Sequence, residues 1–197
     1  MADVVVKGPG VFSDALQLLG MQATPGGPPP VQPADFRPGN LDFEDGMNGW
    51  TIEGQQDYAV GHTASVAHQG GGSGYLWSMG LNPEGQGTLM QTLWAAADYQ
   101  GRRLRVSAFL KTEGVEGQAG LWMSIDTPEE TAALDNMQDR SIVGDTDWTR
   151  YEIVLDAPPD TALASFGAWL EGLGKVWVDD FQVEVVGQDV PTTQPIP

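Results

Sequence analysis

The chain has 197 residues, no cysteine and a formal charge of −18, from 27 acidic against 9 basic residues. That balance argues against a nucleic-acid partner, whose phosphates require lysine and arginine, and against docking on anionic membranes. The missing thiols exclude disulfides and thiolate metal sites, and the length suffices for one substantial core with tails.

The segment Met1–Pro9 has a short apolar run with no basic stretch before it. It does not read as a signal peptide, so the expected compartment is the cytoplasm, or the exterior if a leader has been removed. Val11–Met21 has helical spacing, with Ser13 as N-cap ahead of Ala15, Leu16, Leu18 and Leu19. Thr24–Pro38 is rich in proline and glycine and reads as an arm. Residues 1–39 are therefore assigned to a helix and arm, and 40–187 to a β-domain. Residues 188–197 are assigned to a disordered tail.

Within the β-domain, turn residues separate about ten strand-like runs. The strong runs are 102–112, 118–127, 149–156, 162–170 and 175–186. Weaker ones are 41–43, 50–53, 65–68, 75–78 and 89–93. No helical pattern lies between them, so the fold class is all-β, a jelly-roll sandwich of two antiparallel sheets.

Alternation divides the middle strands into two faces. Leu104, Val106, Ala108 and Leu110 share one side, with Leu121, Met123, Ile125, Tyr151, Ile153 and Leu155. These form the expected core. The other side carries Arg105, Phe109, Lys111, Trp122, Asp126 and Arg150. Rings beside charged planar groups suit a sugar, whose C–H face stacks on an aromatic while its hydroxyls take hydrogen bonds. Phe109, Trp122 and Trp169 are the expected floor, with Arg105, Lys111, Asp126 and Arg150 as polar contacts. Trp50, Trp148 and Trp177, near strand ends, are expected to pack. The competing expectation for Trp122 and Trp169 is burial, the usual fate of strand aromatics.

Asn40-Leu41-Asp42-Phe43-Glu44 opens the first strand and Val178-Asp179-Asp180-Phe181 lies in the last. First and last strands commonly pair in jelly rolls. Glu44 and Asp180 are then a carboxylate pair suited to Ca²⁺, with carbonyls from the Gly70–Gly74 loop. Catalytic patterns fail: Gly71-Gly72-Ser73-Gly74-Tyr75 lacks the last glycine of G-x-S-x-G, and His62 and His68 are not spaced as a zinc motif. No catalytic residue is assigned and no enzyme is expected.

The motifs at Asn40–Glu44 with Gly49-Trp50, at Gly72–Leu76, at Val106–Thr112 and at Trp177–Phe181 together resemble the galactose-binding-like jelly-roll carbohydrate-binding modules. That resemblance implies a structural Ca²⁺ held at the positions of Glu44 and Asp180. A closer resemblance is to bacterial jelly-roll domains found alone or attached to transcription regulators and secreted hydrolases. It rests on Ala119–Met123, Asp135–Arg140, Thr146–Trp148 and Val178–Phe181. The chain departs from that pattern at Leu134-Asp135, where a phenylalanine is usual, and at Ser141, where proline is common. No helix-turn-helix is legible, so a regulator's activity is not carried over. The expected function is non-catalytic carbohydrate binding by a monomer. The alternatives are a protein-interaction or regulatory accessory domain, and a small glycoside hydrolase using two carboxylates.

Overall fold

The computed structural model describes residues 38–54, 56–94 and 98–193, so the expected helix at Val11–Met21 and its arm lie outside the described residues. Nine strands follow in order: β1 (Thr51–Glu53), β2 (Tyr58–Thr63), β3 (Ser73–Ser78), β4 (Gln86–Trp94), β5 (Arg103–Asp126), β6 (Thr131–Asp135), β7 (Ile142–Asp156), β8 (Leu163–Glu171) and β9 (Lys175–Val186). The only helical element among the described residues is one 3-10 turn, Gln138–Arg140. The fold is an all-β jelly roll.

Strand β5 is 24 residues long and belongs to both layers. Its first half pairs with β7, from Arg103↔Asp156 to Leu110↔Thr149, and with β9, from Arg103↔Val186 to Glu113↔Lys175. Its second half pairs with β8, from Gln118↔Glu171 to Asp126↔Leu163, and with β6. One layer therefore runs β2-β3-β9-β5-β7, the other β1-β4-β8-β5-β6. The crossing lies between Thr112 and Ala119, where the register against β7 shifts repeatedly. Glycine permits it. Gly114 has φ +61°, and a Cβ on Gly117 would sit 2.0 Å from the Glu171 carbonyl oxygen.

The crossing reverses the parity of the core. Even-numbered Leu104, Val106, Ala108 and Leu110 point inward before it, and odd-numbered Ala119, Leu121, Met123 and Ile125 after it. All are essentially sealed from solvent, each large side chain contributing about 1.5–3 kcal/mol by burial. Across the core β3 faces β4 and β8.

An aromatic cluster closes one end of the core. Phe43 stacks on Trp50 (4.7 Å, 18°), and Phe181 and Phe166 meet the same indole at 4.9 and 6.0 Å. The opening motif builds this cluster as a turn, not as the strand expected at 41–43. Asn40 Nδ2 donates to the Gly46 and Asn48 carbonyls, and Trp50 Nε1 donates to the Asn40 carbonyl. The Phe181 N–H donates to the Leu41 carbonyl at 2.9 Å, tying the opening turn to β9.

Three further expectations need correction. Residues 65–68 are irregular chain, while the neighbouring strand is β2, whose glycine and histidine dilute its alternation. β6, whose Thr-Ala-Ala-Leu-Asp has no β-branched or aromatic pattern beyond its first residue, is absent from the expected runs, and β7 begins at Ile142 rather than Thr149. The tail assigned as disordered is docked as far as Thr193. The Arg103 guanidinium holds Asp156 and donates to the carbonyls of Gln188 (3.0 Å) and Val190 (2.6 Å). The Thr193 N–H donates to the Val154 carbonyl, and the Thr193 hydroxyl accepts from the Val154 N–H. Val154 therefore faces outward on β7 yet is buried.

Asp135 completes this clip. Its carboxylate accepts from Arg140 Nη2 (2.7 Å), the Thr193 hydroxyl (2.6 Å) and the Met137 N–H (2.9 Å). Burial alone would raise its pKa, but these donors and the Arg140 charge together outweigh it and hold the group below its ordinary value. A depressed carboxylate stabilises the fold at neutral pH and loses that contribution as pH falls through the ordinary carboxylate range towards the lowered value. Asp135→Asn should cost about 2 kcal/mol at pH 7 in urea unfolding. The gap between variant and parent should narrow steadily in titrations taken towards acid; a gap independent of pH would contradict this assignment.

Candidate functional site

The outer face of the β9 layer carries an aromatic row built by register. Gly61, Tyr75, Trp177 and Lys111 stand side by side on β2, β3, β9 and β5. The next row is Ala59, Trp77, Lys175 and Glu113. Alternation in Ser73–Ser78 puts Leu76 in the core and turns Tyr75 and Trp77 out. Trp77 is 51% exposed, whereas the other aromatic side chains described are buried or half-buried. The Tyr75 ring lies against Gly61, where a Cβ would come within 3.1–3.2 Å of it. Glycine at 61 thus lets the ring lean towards the edge strand.

These rings border a cleft of about 410 Å³. Tyr75, Trp77 and Trp177 line it with His62, Ser65 and Lys175, and no aspartate or glutamate is among its lining residues. Lys175 Nζ sits 4.6 Å from the Trp77 ring centroid and donates to Glu113 Oε1 at 2.8 Å. The ammonium thus fixes the indole from one side and leaves the ring half in solvent.

Further along the same face lie Phe109, Arg105, Lys111 and Arg150, as the sequence expects. Phe109 is covered: the His68 imidazole stacks on it at 3.7 Å and 12°, with Trp148 edge-on to the imidazole at 5.7 Å. Arg105 pairs with Glu184 (2.9 Å), Lys111 with Asp147 (2.9 Å) and Arg150 with Glu152 (2.7 Å). Arg150 also donates to the buried Ser107 hydroxyl. These cations form a cross-strand ion ladder with the carboxylates beside them.

The other expected residues lie on the opposite outer face, that of the β8 layer. Trp122 stands across from Gly167, and Trp169 across from Gly120. Gly120 leaves room for the Trp169 ring, where a Cβ would come 3.3 Å from its Nε1, whereas a Cβ on Gly167 would strike the Leu89 carbonyl of β4. Trp169 is 1% exposed, and its Nε1 donates to the Asn136 (3.0 Å) and Leu121 (3.3 Å) carbonyls. It offers no face to a ligand. Trp122 is half-buried with its indole nitrogen out of solvent. Asp126 is buried, accepting from Ser124 Oγ (3.1 Å) and Thr131 Oγ1 (2.5 Å). The expected floor of Phe109, Trp122 and Trp169 is therefore not assembled, because the β5 crossing sends its members to opposite sides. The sequence does not single out Tyr75 and Trp77, and the strand-end position of Trp177 leads to the expectation that it packs. The available signal was the alternation of Ser-Gly-Tyr-Leu-Trp-Ser opposite Lys-Val-Trp-Val.

Glu44 and Asp180 reach the same loop from two sides. Glu44 Oε1 accepts the Gly71 N–H at 2.6 Å, and its carboxylate occupies the space of a Cβ on Gly70. Asp180 Oδ2 lies 2.6 Å from His68 Nδ1. Asp180 has φ +51° at a bulge, where three steps on β9 match two on β5 between Ser107 and Phe109. The neighbouring Asp179 is sealed beneath the loop and accepts the N–H groups of His68, Gln69 and Asp180. Burial pushes its carboxyl pKa up, and those three bonds only partly oppose it. Among the described residues, no three His, Asp or Glu side chains gather as a ready metal cluster.

No known family profile matches the chain. It is 40% identical over 154 residues to an uncharacterized HTH-type transcriptional regulator, YbfP, of Bacillus subtilis strain 168. The match covers 77% of this chain and 52% of the relative, so the chain spans about half the length of that protein. Solved structures share the fold at low identity. TmCBM61, solved with β-1,4-galactotriose, aligns with TM-score 0.56 at 18% identity, over 76% of this chain and 97% of its own. The CBM22-1 xylan-binding domain of Paenibacillus barcinonensis Xyn10C aligns with TM-score 0.53 at 20% identity, over 74% and 92%. The chain has the jelly-roll fold of these carbohydrate-binding modules. A Stig cyclase from Fischerella shares it too, with TM-score 0.53 at 15% identity, over 77% and 98%.

The exposure pattern has a direct optical readout. Acrylamide should quench the emission lost in Trp77→Phe far more efficiently than the emission lost in Trp169→Phe. Equal quenching of the two components would contradict the placement of these rings.

Proposed function

We propose that this chain is a non-catalytic carbohydrate-binding module whose sugar site is the cleft of Tyr75, Trp77 and Trp177. The observation that carries this reading is the half-exposed Trp77 indole, held by Lys175 beside two further rings over an open groove. Stacking contributes about 1 kcal/mol per ring, so affinity is modest for an open site. The likeness in fold to a module solved with β-1,4-galactotriose and to a xylan-binding domain supports the ligand class. The cleft's lining holds no carboxylate pair, which a two-carboxylate glycoside hydrolysis in that cleft would require.

Calorimetric titration against a panel of neutral and acidic oligosaccharides tests the reading. Binding should appear in the micromolar-to-millimolar range and fall about fivefold or more in Trp77→Ala. Trp122→Phe, on the other outer face, should leave it unchanged. Absence of binding across the panel would remove the carbohydrate proposal. It would favour the second reading, a protein ligand, for which the exposed run continuing from Trp77 through Met79 and Leu81 is the matching surface.

We also propose that the loop of residues 68–71 is a structural Ca²⁺ site. Glu44 and Asp180 would supply hard oxygen donors there, with loop carbonyls completing the shell. The convergence of both carboxylates on one glycine-rich loop supports it. Calcium should raise the melting temperature over an EGTA control, and Glu44→Gln should abolish the rise. Coincident melting curves with and without calcium would dismiss the site.

A further inference from the structure

Resting on the carbohydrate reading above, we infer that the cleft takes an oligosaccharide that is neutral along most of its length and carries a single carboxylate, a uronic acid unit, which docks on Lys175. The argument starts from charge. The molecule carries −18, yet the lining of this cleft includes no aspartate or glutamate, and its one formal charge is the Lys175 ammonium. A lone cation in a groove otherwise free of formal charge favours a ligand group of opposite sign. Lys175 also stands beside Trp77 in the same row, so a sugar stacked on the free part of that indole would bring its substituents close to Nζ.

The ammonium is available. Its present partner, Glu113, lies across the register on β5 and outside the cleft lining. The Glu113 side chain is 60% exposed and that of Lys175 is 30% exposed. A solvated pair of this kind has little net stability, about 0–1 kcal/mol, so a ligand carboxylate can replace Glu113 at small cost. The new pair would be more sheltered, between a stacked sugar and the indole, where charge-assisted hydrogen bonds are stronger. The −18 charge sets the upper limit on ligand charge. Long-range repulsion disfavours a polyanion such as a polyuronate, while one carboxylate on a neutral backbone meets one local cation.

Matched probes test this by calorimetry on the full chain. Xylotetraose is compared with xylotriose bearing one glucuronic acid, and cellotetraose with a cello-oligosaccharide carrying one C6 carboxylate. Tetragalacturonate is the polyanion. The mono-uronate of at least one pair should bind about tenfold tighter than its neutral partner. Lys175→Met keeps the aliphatic stem against Trp77 but removes the charge; it should abolish the preference, so that the mono-uronate and its neutral partner bind alike. Glu113→Gln removes the competing carboxylate and should raise mono-uronate affinity about two- to threefold. Equal affinity within both pairs, with binding still present, would overturn the uronate inference and leave the carbohydrate reading standing. Tetragalacturonate binding tighter than either mono-uronate would overturn the single-carboxylate form. Failure of every probe and of the wider panel would remove the carbohydrate reading itself, and this inference with it.

Discussion

One strand belongs to both layers, and the placement of nearly every surface residue follows from that. Pairing of β5 with β7 and β9 in its first half, and with β8 and β6 in its second, makes a single chain of alternating side chains serve two outward faces. The glycines at 114 and 117 allow the backbone to pass between layers. A Cβ at the second of these positions would strike the carbonyl of Glu171. Hydrophobic residues then fall on the inside of both halves despite the reversal of parity at the crossing.

Alternation was legible in the sequence within each strand, and the core followed from it. Leu104 to Leu110 and Leu121 to Ile125 are buried as their spacing demands. The parity change was not legible, because periodicity says which side a residue takes only relative to its own strand. Phe109 and Trp122 both point outward, as read, yet they point away from each other. Strands that carry small or polar residues were also obscured. β2 alternates around Gly61 and His62 and depends on β3 for its pairing, and β6 carries weakly patterned Thr-Ala-Ala-Leu-Asp, although it pairs with β5 just across the turn at 127–130. The docked tail could not be foreseen either, since its order comes from Arg103, Asp135 and Val154.

The same fold in a galactotriose-bound module, a xylan-binding domain and a cyclase shows that architecture alone does not fix chemistry. The differences between outer faces carry more information. On the β8 layer, Trp169 is hydrogen-bonded under the loop at Asn136, so its polar handle and its rings are both engaged. On the β9 layer, Tyr75, Trp77 and Trp177 rise from three adjacent register positions and meet a groove. Beside them, His68, Asp179 and Asp180 anchor the chain that forms one wall, through backbone bonds to a sealed carboxylate and an imidazole clamped on Phe109.

Seven of the nine basic residues fall within the described residues, and five of them, Arg103, Arg105, Lys111, Arg150 and Lys175, stand on the β9-layer face. Each meets a carboxylate there, so that side is close to electrically balanced while the excess negative charge is borne elsewhere. Such an uneven distribution exerts a torque on the molecule in the field of an approaching anion. Tumbling near a ligand with a single negative charge would turn its acidic flanks away and present the aromatic side first, so that orientation precedes contact.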